Sequence, residues 1–409
     1  MREETTTCCI AGGGPAGMML GFLLARAGIA VTVLEKHSDF LRDFRGDTIH
    51  PSTLELMHEL GLLEAFLKLP HSKEDDIVAR FGDDEITIAD FSHLPVKAPY
   101  VAFMPQWDFL DFLAERGREQ PPFHLRMQTK AEGLIKQNGR VSGVTAMTLD
   151  GPLSIRADLV VAADGRSSDL RAASGLAVEV LGAPMDVLWF RLSRKKSDRN
   201  QTFGQVAGGH FFIMLNRGDY WQCAFIIPKG SLEALQVRGI RAFRDGVVAL
   251  SPFLKDRIAE LRGWDDIKLL SVAVDRLTRW WKPGLLCIGD AAHAMSPIGG
   301  VGVNLAVQDA VATANLLAVP LREKRLTDTV LAAVQHRREF PTKLTQSMQI
   351  AIQNRVITPL LARSGPVTPP LPLRLLQRFP LLRRLPARLI GLGIRPEHIG
   401  PALKPVRPN

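Results

Sequence analysis

Gly12, Gly14 and Gly17 stand in the spacing G-x-G-x-x-G, with Pro15 and Ala16 between the second and third glycines. That spacing allows a tight turn and close approach of backbone to a pyrophosphate, whose charge the N–H groups opening a helix can hold. Glu35 follows Gly17 by 18 residues, where an acid can accept from ribose hydroxyls. A second acid, Asp290, lies in Gly289-Asp290-Ala291-Ala292-His293, followed by Pro297, Gly299, Gly300, Gly302 and Asn304. An acid at a strand's carboxyl end can hold a ribose hydroxyl, while the next helix aims its positive end at the ligand. A capped helix start would explain Asp290 and Gly302, but not the separate dinucleotide fingerprint near the N-terminus.

These residues need strands and helices behind them. Residues 7–35 read as strand, glycine turn, helix and strand, one βαβ unit with Gly28 stopping the helix. Pro51 to Leu62 reads as a short amphipathic helix closed at Gly61, Gln106 to Arg118 as a helix, and Leu134 to Thr148 as a hairpin around Asn138-Gly139. Asp158 to Ala163 reads as a buried parallel strand. Residues 187–275 are rich in short strands, with one helical stretch around Ile240 to Leu261, and predict an antiparallel sheet in a second domain. Leu285 to Gly289 is again an apolar strand, followed by a helix from about Val303 to Leu317.

The chain has 409 residues, 46% apolar and 23% charged, which suits a globular two-domain body with an appendage. Its net charge of +9 is concentrated at one end: residues 360–409 hold nine Arg or Lys against the single acid Glu397, so the rest carries only +1. A basic body that tracks a phosphate backbone is therefore not expected, and nucleic acid is excluded as a partner. Residues 1–7 are charged and Thr-rich and the apolar run from Cys8 breaks at Gly12, which argues against a signal peptide or membrane span there. Cys8, Cys9, Cys223 and Cys287 lack C-x-x-C spacing and read as buried thiols of a cytoplasmic protein, with no metal site.

Together, the two motifs resemble those of the single-component flavoprotein aromatic hydroxylases, the p-hydroxybenzoate hydroxylase family, over roughly residues 7–345. Asp164-Gly165-Arg166-Ser167-Ser168 resembles that family's Asp-Gly motif, and Arg45, with the Pro51 helix behind it, its arginine near the flavin. Gln106 matches the position that touches the FAD phosphate and ribose. The resemblance implies an α/β fold: a Rossmann-like FAD-binding domain on a doubly wound parallel sheet (1–72, 104–177 and 276–320), an antiparallel-sheet substrate domain (73–103 and 178–275) and a C-terminal helical, basic segment (321–409). It implies FAD as cofactor, NADPH or NADH as reductant, and hydroxylation of a small aromatic substrate by O2 through a flavin C4a-hydroperoxide. The implied cofactor residues are Gly12, Gly14, Pro15, Ala16, Gly17, Glu35, Lys36, Arg45, Gln106, Asp164, Asp290, Pro297, Gly300, Gly302, Val303 and Asn304.

The sequence departs from the family at Val301, where many relatives have Gln. Tyr100 and Tyr220 are the two tyrosines and neither is C-terminal, so a tyrosine relay that ionises a phenol does not carry over. Catalytic candidates are Arg45, Asp47 and His210, and pocket candidates are His210, Phe212, Met214, Tyr220 and Gln222. His210 could equally be a strand-end histidine facing water, and Phe212 and Met214 could be core. An isoprenoid reductase sharing the fold and a non-catalytic flavin protein are the rivals; the halogenase signature G-W-x-W-x-I-P is missing. The Pro-interrupted Leu/Arg tail is expected to pack on the body or on a second subunit, as monomer or homodimer, in preference to a membrane surface.

Overall fold

The computed structural model describes residues 2–41, 48–82, 84–198, 202–207, 209–361 and 368–403. Two sheets organise the chain. The first has eight strands, ordered Trp281–Lys282, Leu285–Cys287, Gly151–Ala162, Arg2–Ala11, Val31–Leu34 and Phe123–Arg126, with the hairpin Lys130–Gln137/Arg140–Thr148 paired onto Gly151–Ala162. Arg2–Ala11 pairs in parallel with Gly151–Ala162 on one side and Val31–Leu34 on the other. The strand order therefore reverses at Arg2–Ala11, and a ligand binds beyond the carboxyl ends of the strands at such a reversal.

Central strands buried on both faces are apolar throughout in Cys8–Ala11 and Leu159–Ala162, and apolar but for Thr32 in Val31–Leu34. The helix Pro15–Arg26 packs against both Gln106–Arg118 and Gly302–Arg322, and the three share a core with this sheet. Close packing requires glycine here: a Cβ on Gly21 would stand 2.6 Å from Val33 and one on Gly117 2.7 Å from Phe123. The helical span Ile298–Arg322 is long and apolar enough to cross a bilayer, yet it is mostly buried in the protein. The hairpin turns at Asn138-Gly139, both with positive φ (52° and 77°), the geometry that matches the twist of the flanking strands.

The second sheet has seven strands, ordered Lys268–Leu270, Met185–Ser193, Tyr220–Pro228, His210–Asn216, Phe203–Ala207, Asp76–Phe81 and Asp84–Asp90, antiparallel except between Phe203–Ala207 and Asp76–Phe81. Its helical cover is Leu232–Leu250, earlier than the expected Ile240–Leu261. A kink at Gly239 (φ 84°) joins its two halves, and Pro252 opens a 3-10 turn that ends it. Three short strands, Thr48–Ile49, Val101–Phe103 and Ser72–Glu74, form a bridge sheet. The C-terminal part is the helix Asp328–Ile352, a π-helical stretch Gln353–Ile357, and the short helices Leu371–Arg378 and Arg384–Gly391.

Candidate active site

Four strands of the first sheet end in the four sequence motifs. From one side to the other, Leu285–Cys287 leads to Asp290, Gly151–Ala162 to Asp164, Arg2–Ala11 to Gly12 and Val31–Leu34 to Glu35. Gly12 has φ +106°, and a Cβ there would lie 2.3 Å from the Ala163 carbonyl oxygen; one on Gly17 would lie 2.0 Å from that of Gly12. Strand and helix can therefore meet this closely only through glycine. Gly14, by contrast, is the N-cap of the helix that Pro15 and Ala16 begin, and among the described residues nothing lies near its Cβ position and no side chain caps the first N–H groups. That leaves donors and room for a phosphate.

Glu35 is buried, and its carboxylate accepts from the Gly13 and His37 backbone N–H groups, each at 3.0 Å. It fixes the glycine turn from below, at the end of the strand where the resemblance puts the ribose. Lys36 is exposed beside it and Gln106 opens its helix half-buried. Asp164 accepts from the Ser168 hydroxyl and the Leu170 N–H; burial nevertheless pushes its carboxyl above the usual range. Asp290 is paired with Arg166 at 3.3 Å. This set fits a dinucleotide laid across the sheet.

The turn after Asp290 is held from behind by side chains the sequence reading did not single out. Asp309, fully buried in the middle of Gly302–Arg322, accepts from His293 Nε2 (2.6 Å), the Gly289 N–H (3.1 Å) and Arg338 Nε (3.0 Å). Burial alone would raise its pKa; His293 and Arg338 outweigh that and hold it below the carboxylate range. Arg338 reaches on to Glu397 at 3.4 Å, which Arg337 also binds at 2.7 Å. Gln346, Gln349 and Gln353, at helical spacing and all buried, donate to the Ala294, Ser296 and Ile298 carbonyls and the Ser296 hydroxyl at 2.8–2.9 Å. The available signal was an acid alone in an apolar helix, an acid alone in a basic tail, and glutamines at i, i+3 and i+7.

Asn304 donates to the Thr48 carbonyl (3.2 Å) and accepts from the His50 N–H (2.9 Å) and Thr53 hydroxyl (2.7 Å), so its side chain is committed to the protein. Thr48 also donates to the Gly300 carbonyl at 3.0 Å. Arg45 and Asp47 lie outside the described residues, but Thr48, next in the chain, is thereby tied to the Gly300–Gly302 turn. Among the described residues no side chain caps the helix that starts at Gly302 and Val303, and Gly302 has none of them near its Cβ position, so its positive end can face a ligand.

Strand parity sorts the pocket candidates. Tyr220 and Gln222 share a face with Ala224 and Ile226, opposite Ile213, Val187 and Trp189. This face packs with Ile298, which follows Pro297 in the same turn. His210, Phe212 and Met214 point the other way, where Phe212 and Met214 lie with Phe225 and Phe243 under Leu232–Leu250. The His210 ring lies 5.3 Å from that of Phe225, and burial, with Arg238 nearby, lowers its pKa. The structure thus removes His210, Phe212 and Met214 from the wall that faces the turn. A cavity of about 410 Å³ lined by Arg80, Asp198, Gln205 and Phe253 contains none of the motif residues, and strand-end geometry is the better guide to the site.

Residues 4–348 match the family model described as FAD binding domain. The chain is 33% identical over 354 residues to 6-methylpretetramide 4-monooxygenase of Streptomyces rimosus, covering 86% of this chain and 84% of that protein. It is 27% identical to the 12-dehydrotetracycline 5-monooxygenase/anhydrotetracycline 6-monooxygenase of Streptomyces rimosus subsp. rimosus, over 74% of this chain and 60% of that longer protein. In fold it resembles Pseudomonas aeruginosa PqsL, crystallised with 2-aminobenzoylacetate, with TM-score 0.74 and 22% identity over 88% of this chain and 99% of that one.

Proposed function

Since this chain belongs to the FAD binding domain family and is an FAD-dependent monooxygenase, we propose that it hydroxylates a flat, fused-ring aromatic molecule, using NAD(P)H and O2. The observation that carries this reading is the sheet face turned toward the Pro297–Gly302 turn. Val187, Trp189, Ile213, Ala224 and Ile226 make it a broad apolar layer, which packs with Ile298 of that turn and with Ile357 and Leu361 of the C-terminal segment, and Gln222 is a buried polar group on the same face. An apolar layer whose polar groups, Tyr220 and Gln222 with Arg191 opposite, lie at one end suits a planar ring system that carries hydroxyls better than a compact charged acid. The names of the two Streptomyces relatives, one for 6-methylpretetramide and one for 12-dehydrotetracycline and anhydrotetracycline, support the same class.

FAD would lie across Gly12–Gly17, Glu35, Asp164 and Asp290, and when bound it takes electrons from NAD(P)H and passes them to O2. The protein's own part is to hold it, to aim the Gly302 helix end at its polar edge, and to keep water from the apolar wall. Arg45 and Asp47 lie outside the described residues, and their assignment to the flavin rests on the family resemblance alone. With His210 on the other face, Asp47 is the candidate base. The four buried thiols suit a reducing, cytoplasmic setting.

A screen of fused-ring phenols that follows NAD(P)H oxidation and H2O2 together tests this. A substrate of the proposed class accelerates oxidation without a proportional rise in peroxide. Acceleration by single-ring acids alone would refute the assignment of class.

A further inference from the structure

We propose that the two short C-terminal helices form a docking face for a lipid bilayer that carries anionic headgroups. Their inner side chains pack on the body: Leu373 with Phe81 and Ile86, Ala387 and Leu392 with Phe91 and Leu94. A Cβ on Gly391 would meet Leu94 at 2.8 Å, so the second helix sits flush. The outer face is left uncovered. Leu371 is 68% exposed, Leu381 71% and Leu385 64%, and Leu375, Phe379 and Leu382 are exposed beside them.

The outer face has a repeated order. Leu371, Arg374, Leu375 and Arg378 follow i, i+3, i+4, i+7 in the first helix. Leu381, Arg384, Leu385 and Arg388 repeat that spacing through the turn Pro380–Arg383 and the second helix. Helical residues so spaced share a face. Each element therefore presents two leucines and two arginines to solvent, as in an interfacial segment whose leucines enter the acyl boundary while arginines reach phosphate. Asp76 and Asp90, on the strands beneath, face Arg383 and Arg384. Arg374, Arg378 and Arg388 have no carboxylate partner among the described residues.

Charge decides between occupants. A second copy seated on this face by a two-fold axis would set arginines against arginines, which opposes association. An anionic bilayer complements both the charge and the exposed apolar groups. The expectation that the tail packs on the body or on a second subunit agrees with its inner face; for its outer face the bilayer is the proposed occupant.

The test uses the full-length, FAD-loaded enzyme in flotation with vesicles of equimolar phosphatidylcholine and phosphatidylglycerol, and with phosphatidylcholine alone. Binding to the first and not the second is expected. Replacing Arg378 and Arg388 by Gln should weaken it about fivefold per arginine, and Leu371→Ser, Leu375→Ser, Leu381→Ser and Leu385→Ser together should abolish it. Both variants should keep FAD and the wild-type melting temperature, since these side chains are exposed; a variant that loses either would mean that the face is packed, and the proposal falls. It falls equally if the wild type ignores anionic vesicles, if the leucine variant still floats, or if those substitutions instead dissolve a dimer.

Discussion

Gly12 and Gly17 are fixed by contact: no side chain fits where strand end and helix start approach this closely. Gly17→Ala should therefore prevent folding or leave a protein without FAD. Gly14→Ala, at φ −76° with open space around it, should fold normally and lose FAD affinity by about tenfold or more, because the added methyl enters the phosphate's room. Fluorescence titration of FAD separates the two, and equal FAD affinity in Gly14→Ala and wild type would remove that glycine from the site. Arg45→Lys should slow NAD(P)H-dependent flavin reduction more than it weakens FAD binding, since a fork of donors is lost while the charge remains. Asp47→Asn should cost about 10²–10⁴-fold in hydroxylation rate if Asp47 handles a proton. A wild-type rate with unchanged peroxide leakage would make it a solvated turn residue.

Elements were legible in the sequence to different depths. The βαβ unit, the Gln106–Arg118 helix and the Asn138-Gly139 hairpin carry strong local signals, namely a glycine turn, amphipathic spacing and a primed turn. The face on which a strand residue lies is a weaker signal, because its period is two and a shift of one residue reverses it. His210, Phe212 and Met214 illustrate this: the strand was recognisable, but both its faces are apolar, one packing under Leu232–Leu250 and the other toward the turn. Long-range pairing left less trace still, since the partners of Asp309 come from residues 293 and 338. Arg338→Met should destabilise the protein by about 3–5 kcal/mol by leaving Asp309 with one charged partner fewer in the core. Urea unfolding measures this, and a loss under about 1 kcal/mol would mean that His293 alone satisfies Asp309.

Across the whole molecule, the C-terminal segment closes the FAD-binding part as well as extending from it. Glu397 meets Arg337 and Arg338, and the buried His50 ring binds the Ile390 carbonyl at 2.8 Å. Burial lowers the His50 pKa from 6.5 to about 4, against the opposing pull of that carbonyl. The folded state therefore takes up its proton later than the unfolded chain does. His50 leaves stability untouched above pH 6.5 and removes about 3 kcal/mol as pH falls to about 4. His50→Gln should flatten that part of the stability–pH curve, and an unchanged slope would assign acid lability elsewhere.

The central claim, proposed oxygen transfer to a fused-ring aromatic, is tested most directly by turnover of a fused-ring phenol under ¹⁸O2 with NAD(P)H. The account predicts one ¹⁸O atom in the product for each NAD(P)H consumed. Product formed without label, turnover that continues without O2, or NAD(P)H oxidation recovered wholly as H2O2 with every fused-ring ligand tried would contradict it.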